Sequence, residues 1–319
     1  MRTRQRAFTL IELMVVIGII GLLLAILLPS LSAARTQAKV HATKATLAVL
    51  EAGIESFRMD TSLSGAYPPS VSTTAYDPAS GATGGPVQFP ADQPTQGAEL
   101  LVWGLAGADL LGTPGFPTSP YRWDTYSHAS PSTNPPGLYA LDATTRQPLT
   151  PRKGPFVDLG KMKMLRRGED LKLGPAQVAP AACFLDTFGQ PILYYRAYLG
   201  AATIAATAYS SPVSASYYIE DNYRFTGPDP RSTPIPNQGL NLGAGQNHYL
   251  AALGVTGPNY SDVFPAAGTN RNTFAYFIAD RNVTAKPTAQ RPDSYLLISA
   301  GPDGKYGTAD DVTNFKPNY

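Results

Sequence analysis

The sequence has few of the residues on which catalytic and disulfide-stabilised proteins commonly depend. Its 319 residues include a single cysteine, Cys183, and three histidines, His41, His128 and His248. One cysteine cannot form an internal disulfide, and its apolar neighbours predict a buried small side chain rather than a reactive thiol. The histidines are far apart in the sequence and form no His-Glu-x-x-His pair, which excludes that zinc peptidase motif.

Motifs for binding nucleotides and nucleic acids are also missing. Gly304-Lys305 is followed by Tyr306 rather than serine or threonine, so these residues do not form a phosphate-binding loop. The formal net charge is only +2, and the basic residues form no dense cluster with interleaved aromatics. We therefore expect neither enzymatic activity nor nucleic-acid binding.

Charge is scarce over a long segment near the N-terminus. Between residues 8 and 28 the only formal charge is that of Glu12. About 20 apolar residues at 1.5 Å each cross a bilayer core of about 30 Å. Arg2, Arg4 and Arg6 precede the segment without any acid among them, and this pattern keeps that end in the cytoplasm. The sequence predicts one membrane-spanning helix, with the rest of the chain outside the cytoplasm.

A secretory signal peptide is the alternative interpretation of this segment. Small residues at 32–34 would supply a cleavage site, and the mature chain would then be an exported enzyme or binding protein beginning at Arg35. The apolar run is longer than the 7 to 15 residues of a typical signal. An ionised carboxylate within an apolar segment is costly, so the presence of Glu12 near the membrane edge needs an explanation. The simplest one is that its side chain extends to the membrane interface.

Residues 6–12, with the sequence Arg-Ala-Phe-Thr-Leu-Ile-Glu, resemble the processing site of type IV pilins and of the pseudopilins of type II secretion. The resemblance implies that a membrane aspartyl peptidase, the prepilin peptidase, cuts between Ala7 and Phe8 and methylates the new amine of Phe8. The family usually has glycine where this chain has Ala7. It also has a glutamate and a proline at the positions of Glu12 and Pro29.

The resemblance implies a role for Glu12 in assembly. After cleavage Phe8 would carry an ammonium group inside the bilayer, where an unpaired charge is costly. The carboxylate of Glu12 from an adjacent subunit would neutralise it. Because Glu12 lies one turn along its own helix, such pairing favours an axial stagger, and we hypothesise that Glu12 sets the register of a filament.

The chain after the membrane segment predicts a continuation of the helix to residue 60. Pro29 removes one backbone donor and should bend the helix rather than end it. Large apolar residues recur at helical spacing, and we expect alanines to fill the same packed side. The large residues are Val40, Leu47, Leu50, Ile54 and Phe57, and the alanines are Ala34, Ala38, Ala45 and Ala48.

Charges on this amphipathic segment are segregated along its length. The basic residues come first and the acidic ones later, in the order Arg35, Lys39, Lys44, Glu51, Glu55, Asp60. A solvated helix face explains this pattern simply. The resemblance implies a second explanation, in which Glu51 and Glu55 contact basic residues of a neighbouring subunit.

Residues 61–319 predict a head outside the membrane, and the whole chain predicts an α+β fold. The head is rich in proline and glycine, with 30 and 29 residues in the chain, so little further helix is expected apart from residues 95–103. Strand-like runs bounded by turn residues lie at 191–199, 216–225, 273–280 and 294–300. We expect a small antiparallel sheet packed against the outer helix, with large loop insertions at 70–97, 111–155 and 201–272.

The last strand is followed by a loop rich in aspartate and glycine. Calcium takes 6 to 8 oxygen ligands from carboxylates, carbonyls and water. The candidate side-chain ligands are Asp303, Asp310 and Asp311, and the candidate main-chain ligands lie around Gly301, Tyr306 and Thr308. The loop lacks the aspartate spacing of an EF-hand, and a hydrophilic turn is the alternative. Its resemblance to the calcium-binding C-terminal loop of the major pseudopilin favours structural Ca²⁺.

The resemblance as a whole implies a structural subunit of a type II secretion pseudopilus. It implies a homo-oligomeric filament, minor pseudopilins as partners, an inner-membrane assembly platform and its cytoplasmic ATPase. The expected location is the inner membrane, crossed once, with the N-terminus cytoplasmic and the head periplasmic. Glu12 argues against the tip-type minor pseudopilin, which lacks this carboxylate. A type IV pilin for adhesion or DNA uptake is the structural alternative, although many such pilins close their C-terminal region with a disulfide.

Overall fold

The computed structural model describes most of the long helix and the core of the head. The described residues are 10–63, 65–70, 96–116, 139, 142–145, 147–165, 182–197, 217, 219–226, 248, 250, 274–280, 282 and 288–318. Ala7, Phe8 and His128 lie outside them, as does most of the predicted insertions at 70–97 and 201–272.

The first element, α1, is a helix of 50 residues from Leu10 to Met59. It continues through Pro29, as predicted, and at 1.5 Å per residue it is about 75 Å long. By length and composition α1 is apolar enough to cross a membrane. The α+β fold predicted from the sequence, with this helix and small antiparallel sheets, is confirmed.

The outer half of α1 packs on the head through one face. Leu47, Leu50, Ile54 and Phe57 are buried, and Val40 is partly buried against the same cluster. The prediction for the alanines was wrong, because they are exposed. At 100° per residue they lie roughly 140° to 220° around the helix from the buried Thr43, on the side away from the head. These alanines are Ala34, Ala38, Ala45 and Ala48.

The predicted second helix is present as α2, from Gly97 to Ala106, and all of its residues are buried. Its first turn is capped from two directions. The Gln96 backbone N–H donates to Glu99 Oε2 at 3.1 Å, and the Ala98 N–H donates to Asn222 Oδ1 at 2.9 Å. Glycine is required at position 97, since a Cβ there would lie 2.0 Å from the Tyr194 carbonyl oxygen.

The described strands form two antiparallel sheets. The smaller pairs β1 (Met164–Leu165) with β2 (Cys183–Phe184). The larger has the order β3-β4-β5, with β3 at Leu193–Arg196, β4 at Tyr295–Ser299 and β5 at Val312–Thr313. The strands predicted at 191–199 and 294–300 are therefore confirmed as β3 and β4, and β4 is the central strand.

Two other strand predictions were wrong. Within 216–225 the chain forms a 3₁₀ turn at Ile219–Asn222, followed by a short helix α3 at Tyr223–Thr226. Within 273–280 it forms a short helix α4 at Phe274–Ile278. Aromatic composition suggested strands, but Phe274, Phe277 and Ile278 are the buried residues of α4, and their spacing of three and four is that of a helix.

The larger sheet separates two hydrophobic clusters, because alternate residues of a strand face opposite sides. Tyr194 and Leu297 pack with α1 and α2 on one side. Tyr195 and Leu296 pack on the other side, in the cluster that contains α4 and Tyr306. The sheet thus packs against the outer helix as predicted, and Tyr306 of the C-terminal loop packs on its opposite side.

Candidate functional site

Two regions contain the residues singled out from the sequence: the surface of α1 and the loop between β4 and β5. On α1, Glu12 lies in the first turn and Pro29 lies inside the helix. They are 17 residues apart, which corresponds to about 25 Å along the axis. The two residues of the predicted cleavage site, Ala7 and Phe8, lie outside the described residues.

Glu51 has partners within its own chain. Its Oε1 atom lies 2.9 Å from Arg291 Nη1 and accepts a hydrogen bond from Asn314 Nδ2 at 3.0 Å. Arg291 Nη1 also donates to the Asn314 carbonyl oxygen at 3.0 Å, and the guanidinium lies over the Tyr295 ring. This Glu51 cluster, consisting of Glu51, Arg291 and Asn314, ties α1 to the segments that flank β4 and β5.

Glu55 also contacts residues of its own chain. Tyr67 Oη donates to Glu55 Oε1 at 3.1 Å, and Arg58 Nη1 lies 3.4 Å from Glu55 Oε2. Directly after the helix, Asp60 Oδ2 lies 3.8 Å from Lys153 Nζ. Sequence reasoning missed these contacts, since no local pattern links Glu51 with Arg291, which is 240 residues away.

A tight turn between β2 and β3 contacts α1 near Lys39 and Thr43, at the N-terminal end of its buried face. Thr187 Oγ1 donates to the Lys39 carbonyl oxygen at 2.8 Å and lies 2.7 Å from Thr43 Oγ1. Within the turn, Asp186 Oδ1 accepts hydrogen bonds from the N–H groups of Phe188 and Gln190 at 2.8 and 2.9 Å. The sequence indicated a turn here but gave no sign that Thr187 contacts the helix.

Asp186 also connects this turn to β4. Its Oδ2 atom accepts a hydrogen bond from Ser299 Oγ at 2.6 Å, and the Gly301 N–H lies 3.3 Å from the same hydroxyl. Asp186 is fully buried, and this burial raises its pKa. A polar path therefore runs from α1 through Thr187, Asp186 and Ser299 to the C-terminal loop.

The C-terminal loop is held in place at both its start and its middle. Gly301 has a φ of 62°, and a Cβ there would lie 2.1 Å from the Asp310 carbonyl oxygen, so only glycine fits. Tyr306 is buried, and its hydroxyl donates to the Pro191 carbonyl oxygen at 2.6 Å. The Tyr306 N–H donates to His248 Nδ1 at 3.1 Å. Tyr306 can therefore offer an ion only its backbone carbonyl.

The structure brings two of the three predicted carboxylates together. Asp310 Oδ1 and Asp311 Oδ1 both contact Thr308 Oγ1, the latter at 3.3 Å. Asp310 Oδ2 accepts the Asp303 N–H at 2.9 Å, whereas the Asp303 carboxylate accepts the Lys305 N–H at 2.7 Å. Among the described residues, no group of three His, Cys, Asp or Glu side chains could hold a metal ion.

The environment of Asp311 disfavours a bare negative charge. Burial raises the pKa of Asp311 to about 8, although hydrogen bonds from Gly307 and Thr308 act in the opposite direction. The charge of Asp310 raises it further. Asp311 therefore favours a bound proton or a cation, and two carboxylates with nearby carbonyls are a donor set that suits a hard cation such as Ca²⁺.

The other candidates for reactive chemistry are Cys183 and the histidines. Cys183 is fully buried, as the sequence predicted, and burial raises the pKa of its thiol. His41 is exposed on α1, and His248 is buried beside the Tyr306 ring at a centroid distance of 4.8 Å.

Comparisons with known proteins find one family motif and one relative that is similar over part of its length. Residues 2–28 match the family described as "Prokaryotic N-terminal methylation motif". The chain is 37% identical over 59 residues to the type II secretion system core protein G of Pseudomonas aeruginosa. This match spans 18% of the present chain and 42% of that relative. No solved structure matches the chain.

Proposed function

Because the chain begins with the prokaryotic N-terminal methylation motif, a signature of type IV pilins and pseudopilins, we propose that it is a structural subunit of a type II secretion pseudopilus. The observation that carries the proposal is this motif at residues 2–28, whose residues from Leu10 onward form the first part of the 50-residue helix α1. The helix and the motif fit a membrane-anchored, single-pass protein.

Assembly begins with processing in this proposal. The prepilin peptidase cuts between Ala7 and Phe8 and methylates the amine of Phe8. Glu12 lies four residues further on, about 6 Å along the helix axis. Its carboxylate pairs with the amine of the adjacent protomer, because both charges are costly in lipid when unpaired. This pairing staggers neighbouring protomers along the filament axis.

The mature subunit lies in the inner membrane with its head in the periplasm. An assembly platform, driven by a cytoplasmic ATPase, adds it to a homo-oligomeric filament that has minor pseudopilins as partners. The growing filament pushes exported proteins across the outer membrane. Glu51 and Glu55 already have partners within the chain. In this proposal they act in assembly only if they give up these partners for basic residues of a neighbouring subunit.

We further propose that Ca²⁺ stabilises the C-terminal loop. The carboxylates of Asp310 and Asp311 would hold it, with carbonyl groups around Gly301, Tyr306 and Thr308 and with Asp303 as the third carboxylate. The ion supplies positive charge beside a buried carboxylate. Since Ca²⁺ would bind the folded loop more tightly than the unfolded one, it would raise the stability of the head.

Mass spectrometry of the mature N-terminus tests the main proposal. Protein purified from membranes that contain a prepilin peptidase should begin with N-methylated Phe8. A chain that begins at Arg35 would instead identify an exported protein with a conventional signal. Deletion of the gene distinguishes the two filament types, because a pseudopilin is needed for protein export and a type IV pilin for adhesion or DNA uptake.

A further inference from the structure

Three exposed cationic side chains lie near the point where the turn at Thr187 contacts α1. Arg35 and Lys39 are four residues apart and lie on one face of the helix. Lys163 lies beside them, because its Nζ atom is 3.4 Å from the carbonyl oxygen of Thr187, and Thr187 Oγ1 donates to the Lys39 carbonyl oxygen. We call Arg35, Lys39 and Lys163 the basic underside of the head.

The position of the basic underside along α1 is fixed by helix geometry. Arg35 and Lys39 follow Leu28, the last residue of the apolar run, by 7 and 11 residues. These separations correspond to about 10 and 16 Å. The headgroup layer on each side of a bilayer is roughly 5 to 8 Å thick. Helix side chains lean toward the N-terminus, which here is the direction of the membrane.

The reach of the side chains then brings these charges to the lipid surface. Arg35 extends to the level of the headgroups. Lys39 ends above it, within the Debye length of about 8 Å at physiological salt, and Lys163 lies near Lys39 through their shared neighbour Thr187. Phe188, partly buried in the turn, has its ring 5.5 Å from Lys39 Nζ.

The positive charge of the basic underside has no acidic partner in the described part of the chain. No carboxylate of a described residue lies within ion-pair distance of Arg35, Lys39 or Lys163. Lys161 differs, since it pairs with Asp158 at 3.0 Å. A positive surface that has no acidic partner among the described residues, and that lies on the membrane side of the head, is complementary to anionic phospholipids.

We propose that Arg35, Lys39 and Lys163 bind the headgroups of anionic phospholipids in the leaflet directly below the head. The proposal rests on the proposed function, because it requires that the apolar part of α1 crosses a membrane. Arg35 and Lys39 lie on the side of α1 that bears the head, so this attraction fixes which way the protomer leans. It therefore sets the orientation of the head before the protomer enters a filament.

Acidic residues of a second copy are the competing partner for the basic underside. The acids that follow on α1, Glu51 and Glu55, already have partners in their own chain, Arg291 for the first and Arg58 with Tyr67 for the second. These contacts favour the lipid as the partner of the basic underside in a protomer that has not yet entered a filament.

Native mass spectrometry of the full chain in nanodiscs tests the proposal. The nanodiscs contain equal amounts of phosphatidylglycerol and phosphatidylcholine, and the measured quantity is the ratio of the two lipids retained by the ejected protein. The wild-type chain should retain phosphatidylglycerol preferentially. The double variant Arg35→Gln/Lys39→Gln should lower this ratio by about 30-fold, as expected for two cations near an anionic surface. Lys163→Gln should have a smaller effect in the same direction.

A matched control removes the same charge elsewhere. The double variant Lys44→Gln/Lys316→Gln should retain the wild-type ratio, because Lys44 lies about 180° around α1 from Arg35 and Lys316 lies beyond β5. Equal ratios for the wild-type chain and Arg35→Gln/Lys39→Gln would overturn the proposal, as would an equal loss in the control. A defect of that variant in filament formation alone would identify a second copy as the partner.

Membrane insertion is measured separately by resistance to alkaline carbonate. A wild-type chain that carbonate extracts would contradict the proposed function itself, and the lipid proposal would fall with it. A chain that resists extraction but shows no lipid preference would contradict only the lipid proposal.

Discussion

The two halves of α1 have similar regularity but opposite surroundings. In the inner half, large apolar side chains are exposed, from Leu10 at 75% to Leu28 at 62%. In the outer half, Leu50 and Ile54 are completely buried against the head. The glycines show the same contrast. A Cβ on Gly21 would meet no atom within 4 Å, whereas a Cβ on Gly53 would lie 2.6 Å from Val157 Cγ1.

This contrast shows that a single protomer buries the outer half of α1 and leaves the inner half exposed. The outer half is part of the core of the head, and its stability is set by packing within one protomer. The inner half presents a continuous apolar surface that requires lipid or other helices, since exposed apolar surface of this extent is unfavourable in water. Substitutions in the outer half should therefore change folding, and substitutions in the inner half should change insertion and assembly.

The largest effect on stability is expected for Leu50→Ala. Removal of a completely buried leucine leaves a cavity, and such changes cost about 2 to 5 kcal/mol. Thermal unfolding of the full chain in detergent micelles should show a clear loss of stability of the head. The matched variant Leu22→Ala, in the inner half, should unfold like the wild type. Equal losses for both variants would contradict the division of α1 into two halves.

The next effect is a pH dependence of stability that arises in the C-terminal loop. The pKa of Asp311 is about 8 in the folded state and close to 3.8 when unfolded. The folded state therefore holds the proton more tightly, so the contribution of Asp311 to stability is fully present below about pH 4 and is lost as pH rises through about 8. In calcium-free buffer this loss should amount to a few kcal/mol, and Asp186, whose pKa is also raised, adds to it.

Asp311→Asn separates this effect from the rest of the molecule. The variant should lose most of the decline between pH 4 and pH 8, because it has no carboxylate to ionise at that position. It should also lose the stabilisation by calcium that we expect for the wild type at pH 8. Asp158→Asn, at an exposed site, should retain both behaviours. A calcium response that survives in Asp311→Asn would contradict the proposed ligand set.

A smaller effect is expected for Gly53→Ala, which tests the close approach of α1 to the loop at Phe156 and Val157. The added methyl group would also lie 3.2 Å from the Phe156 carbonyl oxygen, so the loop must shift. We expect a loss of about 1 to 2 kcal/mol, since overpacking outweighs the gain in helix propensity. Gly21→Ala should be neutral or slightly stabilising in the same melting experiment. A stabilised Gly53→Ala would contradict this account of the contact.

The smallest effect is expected for the Glu51 cluster. The Glu51 and Arg291 side chains are both about one-third exposed, and exposed ion pairs contribute about 0.2 to 1 kcal/mol. A double-mutant cycle with Glu51→Gln and Arg291→Gln should give a coupling energy in that range. A coupling of zero, together with a strong assembly defect for Glu51→Gln, would indicate that Glu51 acts between protomers instead.

The same contrast explains what the sequence could and could not predict. The residues of α1, α2, β3 and β4 follow local periodicities, so their positions were predictable from neighbours in the chain. The short helix α4 was mistaken for a strand because five residues carry too little periodicity to outweigh aromatic composition. The exposure of Ala45 was missed because alanine is compatible with either side of a helix.

The candidate site divides in a similar way. The aspartates of the C-terminal loop were recognisable because they lie close together in sequence. The contact between Glu51 and Arg291 depends on how the head docks on α1, and that arrangement leaves no local signal. The role of Asp186 was missed for the same reason, since its partner Ser299 is 113 residues away.

The most direct test of the account is filament assembly by Glu12→Ala in cells that contain the prepilin peptidase. The variant should be processed and remain in the membrane, but sheared filaments should be absent. Glu12→Gln, which preserves size and removes the charge, should behave in the same way. Filaments from either variant at the wild-type level would show that the Glu12 carboxylate does not pair with the N-terminal amine of a neighbour.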